Sequence, residues 1–153
     1  MSKAPDLAER LGRSYSVLLR GFTWIGSEGD DPYRPFSAAF EPDAKLTPET
    51  FRAAAGIARE WRIEIAPAAP WFAKTIKYFH DNQYGSGDDH AIEIVYAHLL
   101  LAMKATLQGS LRLASVHYAP EDGATTFHKA RYYVFGRVAE GGLAGLVAHS
   151  VET

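Results

Sequence analysis

The chain has 153 residues, 47% of them hydrophobic and 22% charged. That is the balance of a globular protein with apolar surface to bury, and it excludes a fibrous or disordered polymer. Sixteen basic residues against 18 acidic ones leave a formal charge of −2, so no basic excess points to nucleic acid, and the absence of cysteine excludes disulfides, a thiolate nucleophile and cysteine-ligated zinc.

The opening residues 1–6 contain no apolar segment of signal-peptide type. Leu7, Leu11, Tyr15, Leu18 and Phe22 then recur at helical spacing, with Pro5 suited to the first turn and Gly21 to the stop. A polar loop follows from Gly26 to Pro32, and residues 36–41 read as a short strand. Thr47, Pro48 and Glu49 make a helix start: a capping hydroxyl, a proline where no N–H is missed, and an acid at the positive end of the dipole. That helix is expected to run to about Trp61, with Phe51, Ala54, Ala58 and Trp61 on one side.

Residues 62–66 alternate as a strand does, and the Ala/Pro stretch to Pro70 ends it. Trp71 to Phe79 reads as a short helix and residues 81–89 as a turn-rich loop. A long helix is expected from about Asp88 to Leu107, with Ile92, Val95, Leu99 and Met103 as its core stripe and Gly109 just beyond its end. The period then changes to two from Leu111 to Tyr118. Residues 128–138 and 143–151 are further strands joined by a turn at Glu140-Gly141-Gly142. Helices early and strands late predict an α+β domain over residues 1–153, with helices covering a mixed, mostly antiparallel sheet. The longest apolar stretch, Leu99 to Met103, falls far short of the ~20 residues of a membrane span, so a cytoplasmic protein without membrane contact is expected.

Three places carry chemistry. The loop Ser27-Glu28-Gly29-Asp30-Asp31 packs three carboxylates into four residues, but lacks the ligand spacing and terminal Glu of an EF-hand. The same residue types also suit a solvated turn. His80, Asp81, Asp88, Asp89 and His90 bring metal-ligating groups close in sequence, and a small metal-dependent enzyme using His80, Asp81, Asp89 and His90 is the alternative reading. The spacing does not match a zinc-protease helix, and the acids also serve to start the long helix. No nucleophile elbow occurs, and Gly141 to Gly145 lies between two strands, whereas a dinucleotide fingerprint opens a helix. The three tryptophans read as packing aromatics. Finally, the segment ending His149-Ser150-Val151-Glu152-Thr153 closes on a hydroxyl next to a carboxylate, both hard donors that suit Mg²⁺.

The run Tyr133-Val134-Phe135-Gly136-Arg137-Val138, the turn to Leu143-Ala144-Gly145-Leu146, and the closing Val151-Glu152-Thr153 resemble the nuclease A inhibitor-like family. Near the N-terminus a helix ending in Gly plus an apolar residue leads to Ser27-Glu28, with Pro32 four residues later, where the family reads S-E-S-[DE]-Y-P. The family's apolar central helix with a basic end has its counterpart at the helix that reaches Met103-Lys104.

The resemblance implies a three-layer α/β/α sandwich that inhibits a metal-dependent, sugar-non-specific nuclease without chemistry or cofactor of its own. It implies a binding surface of acidic loop, central-loop polar residue and C-terminus: Glu28, Asp30 and Asp31, Gln83, then Glu152 and Thr153. Glu28 would occupy the scissile-phosphate position, and Thr153 would approach the partner's metal. The chain departs from the family at Gly29 in place of serine and Asp31 in place of tyrosine, which makes the loop more acidic and leaves a binding protein of the same fold with a different partner as a further alternative.

Overall fold

A computed structural model describes residues 5–22, 24, 31–81, 88–118 and 128–152, the side chains of 88–90, 128, 151 and 152 excepted. Within it the order is α1 (Asp6–Leu18), β1 (Arg34–Ala38), α2 (Pro48–Ala55), β2 (Trp61–Pro67), α3 (Ala69–Asp81), α4 (Asp88–Thr106), β3 (Gln108–Tyr118), β4 (His128–Arg137) and β5 (Leu143–Glu152). The five strands form one sheet in the order β1-β5-β4-β3-β2. Every neighbouring pair is antiparallel, so the fold is α+β and, among the described residues, the sheet has none of the parallel pairing that a mixed sheet would carry.

The strands alternate between two apolar clusters, as the pleat requires. Val134, Leu146 and Ala148 pack with Tyr15, Phe72, Tyr96, Leu99 and Met103 of α1, α3 and α4. Tyr133, Phe135 and Val147 face the other way and pack with Phe51 of α2. Helices therefore lie against both faces of the sheet, three on one and the short α2 on the other.

Local chemistry sets the element ends. Thr47 caps α2 by accepting the Thr50 N–H at 3.1 Å, while Thr50 Oγ1 accepts the Thr47 N–H at 2.8 Å. This reciprocal box is worth about 1 kcal/mol. The helix stops at Ala55, short of the expected Trp61, because Gly56 turns left-handed (φ 68°) and the Ile57 N–H reaches back to the Arg52 carbonyl at 3.0 Å. Trp61 instead opens β2. Arg52 ties the two together by donating Nη1 to the carbonyls of Ala58 (2.6 Å) and Trp61 (2.9 Å).

The buried row of α1 is Ala8, Gly12 and Tyr15, continued by Leu19 just past its end, and it is rotated by about one residue from the row of large residues. Gly12 explains the rotation. A Cβ there would lie 2.7 Å from the Phe36 carbonyl oxygen, so α1 approaches the β1 backbone more closely than any side chain allows. Leu7 and Leu11 pack along the margins and Leu18 is exposed. In α4 the buried residues are Tyr96, Leu99 and Met103, with Ile92 and Val95 half-buried beside them.

Among the described residues, no helix is long and apolar enough to cross a membrane.

Candidate functional site

Topology gathers the sequence-predicted segments. Because all five strands run antiparallel to their neighbours, one end of the sheet carries the start of β1, the end of β5, the start of β4, the end of β3 and the start of β2. Asp31, the last residue of the acidic run, precedes β1 toward this end, and Glu152 lies here at the close of β5, paired with His128.

The described ends of α3 and α4 that flank residues 82–87 lie toward the same end. Tyr33, just ahead of β1, accepts a hydrogen bond from the Tyr96 hydroxyl at 3.1 Å. Burial pushes both phenols above their ordinary value. Phe79 of α3 stacks on the same Tyr96 ring at 5.5 Å. Met103 and Leu107, by contrast, share a cluster with Leu111 near the start of β3. Helix α4 thus runs away from this end, and Asp88 lies ~12 Å beyond Tyr96 along the axis.

Aromatic packing ties Trp24 to α3 and β4. Trp24 is sandwiched between Trp71 at 5.2 Å and Tyr132 at 4.2 Å, with both partners nearly parallel to it. Two of the tryptophans are therefore packing aromatics, as expected. Trp61 packs as well: it lies half-buried on β2 against the second apolar cluster, with the Arg131 guanidinium 4.8 Å above its ring.

Of the predicted contact residues, Asp31 is described and is exposed. Glu28, Asp30, Gln83 and Thr153 lie outside the described residues, as does the side chain of Glu152. The proposed metal set is not assembled by what is described. Asp81 pairs with Lys77 at 2.5 Å, and this hydrogen bond holds its carboxyl below the usual range. His80 Nδ1 lies 3.3 Å from the Glu93 carboxylate. Asp89 and His90 belong to the first turn of α4, with side chains outside the description. No group of three metal-ligating side chains occurs among the described residues.

Sequence reading missed a basic group beside Asp31. Arg34, Arg131 and His149 come from β1, β4 and β5, and His149 is directly paired with Arg131. Pairing sets which residues meet, and no linear motif links three separate strands; the period-two alternation was the one available signal. Burial holds the His149 imidazole below its ordinary value of 6.5; Arg131 and Arg34 act in the same direction and Asp31 opposes them.

The unfolded chain therefore takes up this proton before the folded protein does. The His149 contribution to stability is full above pH 6.5 and declines as pH falls through the lower folded value. His149→Gln should flatten this part of the acid decline, read as Tm against pH. An unchanged profile would remove His149 from the acid response.

No family model matches the chain, and no curated protein matches it.

Proposed function

We propose that this protein is a cytoplasmic inhibitor of a metal-dependent, sugar-non-specific nuclease, a binding protein with neither catalysis nor cofactor of its own. The observation that supports the reading is the convergence at one sheet end. Asp31 ahead of β1, the described ends of α3 and α4 that flank residues 82–87, and the close of β5 lie toward that end, from segments far apart in sequence. A single partner surface can then meet all three.

The physical argument is substitution. A nuclease cleft holds a divalent cation and basic groups arranged around a phosphodiester. In the proposed complex the Glu28 carboxylate takes the phosphate's place and accepts the same charge-assisted hydrogen bonds. In a protein that ends at Thr153, the hydroxyl or carboxylate of that residue takes an open position on the partner's metal, with Glu152 beside it. Asp30 and Asp31 add negative potential that speeds encounter with a basic cleft, and Gln83 supplies a polar contact from the central segment. None of these groups offers a bond the nuclease can cleave.

The test is inhibition of DNA and RNA hydrolysis by a purified nuclease of this class, with complex formation followed by size-exclusion chromatography. Inhibition at stoichiometric ratio is expected; its absence, with no complex formed, would overturn the reading. The same assay examines Thr153. Against a protein made to end at Thr153, one carrying appended residues should inhibit much more weakly, with Tm nearly unchanged. The difference should shrink when binding is measured to metal-free nuclease. Equal inhibition by the extended protein would remove the metal-directed role.

A further inference from the structure

The opposite end of the sheet holds a polar cleft, independent of the proposed inhibitory surface. It has a volume of about 370 Å³ and is lined by Lys45, Leu46, Ser110, Arg112 and Arg137 among others, with no carboxylate in its wall. That size is within the range of small-molecule sites.

The cleft is made by an irregularity in β3. Gln108 pairs with Arg137 and Arg112 pairs with Phe135, so the three residues 109–111 stand opposite Gly136 alone. The extra residues break the ladder at the sheet end, with Gly109 left-handed at φ 69°.

Its cations are arranged in a particular way. Arg137 is pinned: Nη1 donates to the Pro42 carbonyl at 3.4 Å, Nη2 to the Ala44 carbonyl at 2.5 Å, and the guanidinium lies 5.0 Å from the centre of the Phe40 ring. Of the five N–H donors that a guanidinium carries, this leaves three unspent. Arg112 and Lys45 form no ion pair among the described residues. Three positive side chains around one concavity repel one another, and a bound anion removes that cost. Guanidinium groups match a phosphate's oxygens, and an ammonium adds a further donor. The half-buried Leu46 beside them offers an apolar wall that a bare ion does not use.

We propose that this cleft binds a small phosphomonoester, its phosphate held by Arg112, Arg137 and Lys45 and its organic body set against Leu46. The test is titration of the full chain with phenyl phosphate, inorganic phosphate, benzyl alcohol and sodium chloride at matched ionic strength. Isothermal calorimetry reads affinity and amide NMR shifts read location. Phenyl phosphate should bind saturably at one site, more tightly than inorganic phosphate, and shift Gly109, Ser110 and Gly136. Benzyl alcohol and chloride should not saturate. Arg112→Gln should weaken binding by about tenfold or more, and Lys45→Gln, at an exposed position, should weaken it without altering Tm. Lack of saturation, equal binding of inorganic phosphate, shifts confined to the Arg34–Arg131 end, or unchanged affinity in a folded Lys45→Gln protein would each overturn the proposal.

Discussion

Glu28→Gln is expected to lower affinity for the nuclease by about 30- to several-thousand-fold, the equivalent of ~2–5 kcal/mol. The substitution keeps the shape of the side chain and removes its charge. In the proposed complex the carboxylate faces groups meant for a phosphodiester. Replacing it leaves those cationic groups desolvated and unmatched, and that penalty exceeds the value of any exposed ion pair. The loss should therefore appear mainly as faster dissociation and persist at high salt. Asp31→Asn is the contrasting control, because Asp31 is exposed at the start of the β1 edge. It should slow association a few-fold, and added salt should mask the change as the Debye length shortens. Asp30→Asn should behave likewise. Equal, small, salt-sensitive effects at all three positions would reduce the loop to a solvated turn. Surface plasmon resonance across a salt series separates these outcomes.

Phe51→Ala should cost about 3–5 kcal/mol. Phe51 is fully buried and is the one buried residue of α2. Its ring lies 4.9 Å from that of Phe135, 5.1 Å from Tyr133 and 5.8 Å from Phe36. Those three side chains rise from β4 and β1, so this one ring joins the short helix to the centre and edge of the sheet. On the opposite face three helices share the work, and loss of one side chain there leaves other anchors. At ~2–4 °C per kcal/mol for a chain of this length, Tm should fall by roughly 6–20 °C. Nuclease binding measured well below the new midpoint should survive, because the described residues around the proposed surface lie on other elements. A fall of only one or two degrees would mean that α2 covers its sheet face loosely.

The sequence carried the helix starts and the strand alternation because these depend on neighbours a few residues apart. Thr47-Pro48-Glu49 is legible as a cap since its hydrogen bonds close within three residues. The long helix was legible because the apolar residues of α4 recur over nineteen positions. The stop at Gly56 was readable in principle, but Ala58 and Trp61 extended the apolar pattern past it. Their spacing fits a helix, yet Trp61 is placed by its pairing with Tyr118 in the sheet. In α1, residue size misdirected the reading. Large side chains suggested one row, while contact with β1 required the row containing Gly12.

The α+β class, the approximate elements, the exclusion of thiol chemistry and the acidic run that motivates the inhibitor reading were all legible in the residue order. Packing of the whole chain set the strand order and the antiparallel pairing of the described strands. It also decided the meeting of Arg34, Arg131 and His149, and the cation-lined cleft opened by the irregularity in β3. The physical reason is range. Capping and periodicity are written in bonds between near neighbours, whereas a site built across strands depends on register. A shift of one residue in register turns every side chain of a strand to the other face, and that choice is made by the packing of the whole sheet.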